Sequence, residues 1–191
     1  MYPYLIAIGS STGGVKVLQE ILKGLPTGKG AAILITHHIT KDFEQDFFEW
    51  ISRQTSYNLK VPKSGERICP DTIHVAPSGM HLCVGADMTI RLSSEPPVDG
   101  FRPSATKLLE SVAWHTDSKC IGIILSGMGR DGAAGLLEIA KIGGVTIAQD
   151  KETSLVFGMP DVAIKMGAVS YILGSSDISK VVLRKLEEWN R

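Results

Sequence analysis

The sequence predicts a doubly wound α/β fold, in which a mostly parallel sheet carries helices on both faces and a small antiparallel hairpin lies at one edge. Short apolar runs alternate along the chain with longer amphipathic segments, which is the order of βαβ units. The runs are apolar almost without interruption, as expected for parallel strands covered on both faces. They predict strands at YLIAIG (4–9), AAILIT (31–36), CIGIILS (120–126), GVTIAQ (144–149) and AVSYIL (168–173).

Helices are predicted between several of these strands. In VKVLQEILKGLP (15–26), apolar residues recur at helical spacing, and Gly24 and Pro26 end the pattern. The same periodicity predicts helices at DFEQDFFEWISRQ (42–54), PSATKLLESVAWH (103–115), AAGLLEIAKIGG (133–144) and DISKVVLRKLEEWN (177–190). Segment 59–92 has short strand patterns and turn residues but no helix pattern, so we predict antiparallel hairpins at one edge of the sheet.

The composition narrows the classes of function. Lys and Arg number 20 and Asp and Glu number 20, so the net charge is 0 and bulk charge predicts no nucleic-acid partner. The apolar runs are too short for a transmembrane helix, and no basic segment precedes the first, so we expect neither membrane insertion nor a signal peptide. Three cysteines without metal-ligand spacing fit a cytoplasmic protein, and 191 residues suit a single domain spanning 1–191.

Polar residues follow three of the predicted strands. Ser11 comes after the first strand, His37 and His38 after the second, and Asp131 after the third. Ligands of open α/β sheets bind outside the carboxyl ends of the strands. A serine, a histidine and an aspartate at equivalent strand ends are the parts of a nucleophilic triad.

Each of these residues also has a purely structural interpretation. Ser11 or Thr12 could cap the helix that follows, and Asp131 could cap the helix predicted at 133–144. His38 could be a hydrogen-bonded histidine at a strand end. Taken singly, these interpretations compete well with catalysis, and it is the combination of the three residue types that favours a triad.

Residues 9–13, G-S-S-T-G, match the G-x-S-x-G pattern of a nucleophile elbow. In such a turn, glycines relieve crowding where the strand turns sharply into the helix, and the hydroxyl of Ser11 would point outward. The backbone N–H of Thr12 would then face the position of an oxyanion. The chain order Ser, His, Asp differs from the Ser, Asp, His order of α/β-hydrolases, so an ordinary lipase-type enzyme is not predicted.

A competing pattern predicts nucleotide binding. Gly127, Gly129 and Gly132 form G-x-G-x-x-G directly after a strand, and a helix, another strand and Asp150 follow. This fingerprint normally opens the first strand–helix unit of its domain, whereas only 41 residues follow Asp150 here. We therefore rank a nucleotide site at 127–132 below the triad.

Several segments in order resemble one known family. They are IGSSTGG (8–14), ITHH (35–38), GERICPDTIHVAP (65–77), RPS (102–104), LSGMGRDGAAGL (125–136) and FGMP (157–160). Together they closely resemble the catalytic domain of the bacterial chemotaxis protein-glutamate methylesterases, the CheB family, over roughly residues 4–175.

The resemblance implies a function and a set of site residues. It implies a serine hydrolase that cleaves γ-glutamyl methyl esters on the cytoplasmic helices of chemoreceptors and often deamidates receptor glutamines, without a metal or cofactor. Position by position, the nucleophile falls on Ser11, the histidine on His38 and the aspartate on Asp131. We expect backbone N–H groups near Thr12 and Met128 to receive the oxyanion.

Some positions depart from the family pattern. Ser10 stands where alanine is common, His37 where glutamine is common, and Arg130 where asparagine is common. Family members usually carry a phosphoacceptor receiver domain before the catalytic domain, whereas this chain starts at the first catalytic strand. It is either an excised fragment or a free-standing member, and a separate receiver or regulatory protein is a candidate partner. A non-catalytic module that docks on a signalling protein is a third hypothesis beside the esterase and the nucleotide site.

Overall fold

A computed structural model describes residues 2–191 of the chain. Seven strands form one sheet. They are β1 Tyr4–Ser10, β2 Ala31–His37, β3 Asn58–Lys60, β4 Thr72–Val75, β7 Cys120–Ile124, β8 Val145–Gln149 and β9 Tyr171–Leu173. Their order in the sheet is β3-β4-β2-β1-β7-β8-β9, and every neighbouring pair is parallel. A separate antiparallel hairpin pairs β5 His81–Gly85 with β6 Thr89–Ser93.

Helices cover both faces of the sheet. The helices are α1 Gly14–Gly24, α2 Glu44–Ser52, α3 Ala105–His115, α4 Ala133–Lys141, α5 Met159–Lys165 and α6 Ser175–Trp189. Successive residues of a strand point to opposite faces. On β1, Ile6 and Ile8 therefore pack with α1, α2 and α6, while Leu5 and Ala7 pack with α3, α4, α5 and the hairpin. The doubly wound α/β prediction is confirmed.

The segment between α2 and α3 differs from its prediction in one respect. Its first two strands, β3 and β4, join the parallel sheet, and only β5 and β6 are antiparallel, in a sheet of their own. The connection between β3 and β4 is an irregular stretch, 61–71, rather than a helix, which is why the sequence suggested a hairpin there. Burial of all of Thr72–Val75 beside β2 favours the parallel position.

The order of the strands places a switch point at β1. The chain runs outward from β1 through β2 to β4 and β3, and then returns to β7 on the other side of β1. The carboxyl end of β1 is thus flanked by chain segments that leave in opposite directions, which is where open α/β sheets bind their ligands. Within residues 2–191 no helix is both long and apolar enough to cross a membrane.

Candidate active site

Ser11 lies directly after β1, at this switch point, and is 8% exposed. Its backbone N–H donates to the carbonyl oxygen of Ser126 at 3.0 Å, which ties it to the loop after β7. The left-handed conformation of the turn falls on Gly13, with φ of 85°, and α1 begins at Gly14. A Cβ at Gly9 would approach the Cβ of Ala105 to 2.6 Å, so glycine is needed on both sides of the serine.

His38 follows β2, the neighbour of β1, and its side chain reaches toward the loop after β7. Its Nε2 donates to Oδ2 of Asp131 at 2.8 Å. Its Nδ1 is buried and has no hydrogen-bond partner among residues 2–191. The ring nitrogens thus have opposite surroundings, with one bonded to a carboxylate and the other left as an acceptor.

His37 points to the other face of the strand end. Its Nδ1 is hydrogen-bonded to the hydroxyl of Ser10 at 2.7 Å, and its ring stacks on Phe47 at a centroid distance of 4.8 Å. The pattern of strand ends left open which of the two histidines faces the loop that carries Asp131, whereas the family resemblance selected His38. The structure pairs His38 with Asp131.

Asp131 lies between β7 and α4 and is fully buried, at 0% exposure. Burial by itself would raise the pKa of this carboxyl, but hydrogen bonds outweigh it and lower the pKa below its usual range. The group is therefore an ionised acceptor at neutral pH. Its donors are His38 Nε2 and Ala105 N to Oδ2, at 2.8 and 2.7 Å, and Ser104 Oγ and Thr106 N to Oδ1, at 2.6 and 3.0 Å.

The carboxylate of Asp131 caps a different helix from the one that its sequence position suggested. The backbone N–H groups that it accepts belong to the first turn of α3, whereas α4 begins after Gly132 with no side-chain cap. A carboxylate at a helix N-terminus is stabilised by the orphan N–H groups and the helix dipole. Asp131 is thus fixed by α3 while it bonds His38.

His81 supports this arrangement through Ser104, and no local sequence pattern indicates that role. The residue is buried on β5, and its Nδ1 accepts the backbone N–H of Ser104 at 3.1 Å. Its Nε2 donates to the carbonyl oxygen of Pro96 at 3.2 Å. The hairpin therefore helps to hold Ser104, which in turn donates to Asp131.

The loop 127–132 has the glycine pattern of a dinucleotide site but unsuitable chemistry for phosphate. The ionised carboxylate of Asp131 lies within the loop, and it already accepts the backbone N–H groups at the N-terminus of α3. The carboxylate of Asp150 is engaged in its own turn, where it accepts from the backbone N–H and the hydroxyl of Thr153. Both observations favour the esterase hypothesis over the nucleotide site.

A cleft of about 300 Å³ lies beside His38. Phe101 forms one wall, and its ring stacks on the His38 imidazole. A tight turn at Asp99 and Gly100, both with positive φ, presents Phe101 to the histidine. The Asp-Gly dipeptide is a turn signal that the sequence does contain, but nothing local indicates that Phe101 packs on His38.

The charge of Arg130 is paired with that of Asp99, which directly precedes the cleft residue Gly100. Its guanidinium donates to Oδ1 of Asp99 at 2.7 Å, which links the loop 127–132 to the turn that carries Phe101. The substitution of arginine for the asparagine of the family pattern thus adds an ion pair between two loops.

Thr12 directly follows Ser11 in the turn after β1, and Met128 follows Gly127 in the loop after β7. Both are exposed, Met128 at 71%, and within residues 2–191 neither backbone N–H takes part in a hydrogen bond. Gly127 lies against Ser11, since a Cβ there would come within 2.8 Å of the Ser11 Cβ. In the part of the chain that the structure describes, no group of three His, Cys, Asp or Glu residues is arranged to hold a metal ion.

Comparison with known proteins identifies the family. The family model described as CheB methylesterase matches residues 6–182. The chain belongs to the CheB methylesterase family. The CheB methylesterase catalytic domain of Thermotoga maritima matches its structure with a TM-score of 0.91 and 31% sequence identity, over 98% of this chain and 100% of that domain.

Curated CheB relatives are longer than this chain. The protein-glutamate methylesterase/protein-glutamine glutaminase 1 of Burkholderia pseudomallei (strain 1710b) is 41% identical over 185 residues, which are 95% of this chain and 50% of the relative. The Salmonella typhimurium protein-glutamate methylesterase/protein-glutamine glutaminase is 40% identical over 185 residues, or 53% of its length. This chain spans about half of these relatives, and that half corresponds to the CheB catalytic domain.

Proposed function

We propose that this domain hydrolyses γ-glutamyl methyl esters, with Ser11 as nucleophile, His38 as general base and acid, and Asp131 as the partner of the histidine. The observation that carries the proposal is the His38 ring itself. One nitrogen is bonded to a buried carboxylate, and the other is a buried, unpartnered acceptor at the strand end next to Ser11. Such a base–carboxylate pair beside a serine is the arrangement that activates a hydroxyl.

In the first half-reaction, the hydroxyl oxygen of Ser11 attacks the ester carbonyl and its proton passes to Nδ1 of His38. Asp131 keeps the remaining proton on Nε2 and stabilises the imidazolium that forms. The ring nitrogens have exchanged the roles that they have in chymotrypsin-like proteases, where Nδ1 faces the aspartate. His38 then protonates the departing methoxide, and methanol leaves an acyl-enzyme on Ser11.

In the second half-reaction, His38 takes a proton from water and the hydroxide attacks the acyl-enzyme. His38 then returns the proton to the departing Ser11 oxygen, which releases the glutamate product and restores both residues. The backbone N–H groups of Thr12 and Met128 are the proposed donors to the oxyanion in both steps. One such donor contributes about 3 kcal/mol of transition-state stabilisation in a serine hydrolase. The hydroxyl of Ser11 makes no hydrogen bond within residues 2–191, and catalytic contacts commonly tighten on substrate binding.

We propose the cytoplasmic helices of methylated chemoreceptors as substrates, and with them a cytoplasmic location for the enzyme. The relatives are named as protein-glutamine glutaminases as well as methylesterases. The same acyl chemistry would deamidate a receptor glutamine, with ammonia leaving in place of methanol. Amides are poorer acyl donors than esters, so we expect deamidation to be the slower reaction.

The test is methanol release from methylated chemoreceptor membranes, together with labelling by a fluorophosphonate probe mapped by mass spectrometry. We expect the 191-residue chain to release methanol and to carry the label on Ser11. Ser11→Ala should lose both, by roughly four to six orders of magnitude in rate if the triad acts as a unit.

The matched control is Ser111→Ala, which removes a buried hydroxyl that accepts the backbone N–H of Val84 in β5 and donates to the carbonyl oxygen of Leu108 in α3. This variant should keep both activities. Methanol release that survives in Ser11→Ala would disprove the assigned nucleophile. A folded wild-type chain that neither labels nor releases methanol, yet binds receptor, would instead support the docking-module hypothesis.

A further inference from the structure

A second serine–histidine pair lies directly behind the proposed catalytic one. The hydroxyl of Ser10 and Nδ1 of His37 are 2.7 Å apart, and the two residues are 0% and 6% exposed. Neither side chain can reach substrate from this position. The pair therefore needs an explanation other than chemistry on a bound ester.

The pair occupies the last residues of two neighbouring strands. Ser10 and His37 are register partners at the carboxyl ends of β1 and β2. Ser11 directly follows Ser10 after β1, and His38 directly follows His37 after β2. A change in the spacing of Ser10 and His37 therefore also moves Ser11 and His38 relative to each other. The backbone N–H of His38 also donates to the carbonyl oxygen of Ser10, at 3.1 Å.

Each side chain of the pair also packs against a helix. The Ser10 side chain lies against Gly14 at the start of α1, where an added Cβ would come within 2.8 Å of the Ser10 Cβ. The ring of His37 is stacked on Phe47 of α2, with planes 22° apart. The hydrogen bond thus joins two strand ends that are each braced by a different helix.

The histidine of this pair stays uncharged. Burial, and then the neighbouring charge of His38, lower the pKa of His37 to about 4. At neutral pH, His37 can therefore accept from or donate to the Ser10 hydroxyl without placing a positive charge next to the base. The proton transfers of the proposed reaction therefore involve His38 and not His37.

We propose that Ser10 and His37 are positioning residues, whose hydrogen bond fixes the spacing and orientation of the two strand ends that carry Ser11 and His38. The proposal rests on the proposed function, since it gives the pair a role in setting the geometry of that nucleophile and base. A purely structural role would require only that the two buried polar groups satisfy each other. The two roles differ in what happens when both polar groups are removed together.

The first test compares Ser10→Ala with the double variant Ser10→Ala/His37→Leu. Ser10→Ala leaves a buried ring nitrogen unpaired, so it should lower both the stability and the rate at which fluorophosphonate labels Ser11. The double variant removes both polar groups, and such replacements can be nearly neutral for stability. We expect its stability to recover while its labelling rate and kcat stay about tenfold or more below wild type, with KM unchanged.

The second test compares two substitutions of the histidine. His37→Asn keeps a polar atom near the position of Nδ1 but loses the stacking on Phe47, whereas His37→Leu keeps apolar volume but loses the hydrogen bond. If the bond positions the strand ends, His37→Asn should be less stable but should label faster than His37→Leu. Ser111→Ala is the control for loss of a buried serine hydroxyl far from the pair, and it should label at the wild-type rate.

Two results would overturn the proposal. One is a Ser10→Ala labelling rate within twofold of wild type, and the other is a double variant that recovers rate together with stability. If the wild-type chain itself proves unreactive, the proposed function fails and the imidazole ¹⁵N resonances of His38 decide the proposal. A shift of those resonances in Ser10→Ala supports the positioning role, and an unchanged spectrum refutes it.

Discussion

The imidazole of His38 lies parallel to the phenyl ring of Phe101, with ring centroids 3.8 Å apart and planes 3° apart. The phenyl ring covers one face of the proposed base and forms a wall of the adjoining cleft. Stacking of this kind restricts the rotation of the imidazole, so it helps to keep Nε2 directed at Asp131. Phe101 therefore joins Asp131 in setting the orientation of His38.

We expect Phe101→Ala to slow the labelling of Ser11 by up to about tenfold, because an aromatic pair contributes about 0.5–1.5 kcal/mol beyond its buried area. Phe101→Leu should show a similar loss, since it keeps apolar volume without a planar face, whereas Phe101→Tyr should retain the rate. The measurement is the second-order rate constant of fluorophosphonate labelling. Equal rates for the leucine and tyrosine variants would contradict a role for stacking.

Ser104→Ala removes one of the donors that keep Asp131 ionised. A hydrogen bond to a charged group contributes about 1.5–3 kcal/mol, and we expect a loss of that order in the free energy of unfolding at pH 7. Because the native pKa of Asp131 is depressed, its contribution to stability is present above the ordinary value of 3.8 and is lost as the pH falls through the native pKa. Urea unfolding across pH should therefore show the gap to wild type closing under acidic conditions.

Ser111→Ala provides the reference for this measurement, because the hydroxyl of Ser111 bonds the backbone of Val84 and Leu108 and makes no hydrogen bond to a carboxylate within residues 2–191. The loss in free energy of unfolding caused by Ser111→Ala should not change as a carboxylate titrates. A Ser104→Ala deficit that stayed constant down to the lowest accessible pH would show that Asp131 does not supply the pH dependence.

The lowered pKa of His37 predicts that the folded chain loses stability in mild acid. Its pKa is about 4 in the folded chain and 6.5 in the reference state, so the unfolded chain binds the proton more readily. Stability should fall as the pH drops below 6.5 and should level off near 4, by about 3 kcal/mol from this group. His37→Leu should lack this part of the slope in urea titrations between pH 7 and pH 4, and parallel curves for the two proteins would refute the assignment.

Gly13→Ala tests the turn that presents Ser11. Gly13 and Gly28 both have left-handed backbones, with φ of 85° and 77°, but an added Cβ would approach the Cβ of Leu155 to 2.5 Å at Gly13 and would meet nothing within 4 Å at Gly28. Gly28→Ala should cost about 1–2 kcal/mol from conformation alone, and Gly13→Ala a further 1–3 kcal/mol, roughly, from crowding. Thermal and urea unfolding measure both losses.

The two glycine variants should also differ in activity. Gly13→Ala crowds the Ser126 hydroxyl, which donates to the Thr12 carbonyl oxygen in the turn after Ser11, so it should slow labelling of Ser11. Gly28→Ala lies in a loop before β2 and should label at the wild-type rate. A Gly13→Ala chain that labelled normally would show that the turn tolerates displacement.

Much of the fold and of the candidate site could be predicted from the chain. Hydrophobic periodicity is local, and it predicted the central strands β1, β2, β7 and β8 and five of the helices close to their observed positions. The short helix α5 was missed, since seven residues offer too little periodicity to detect. The parallel pairing of β3 with β4 was missed as well, because their connection is irregular and strand partners are chosen by long-range burial.

The sequence by itself determined which residue types follow the central strands. Because the carboxyl ends of parallel strands meet at one edge of the sheet, residues at these ends are expected at one site. That rule selected Ser11, Asp131 and a histidine without coordinates. The residue pattern did not choose between His37 and His38, and the family resemblance selected His38. Only the tertiary structure shows the physical reason, since adjacent residues face opposite ways and Asp131 lies across the face of His38. It also brought α3 to Asp131 and Phe101 to His38, because these contacts join segments far apart in the chain and arise only when the two layers of helices pack on the sheet.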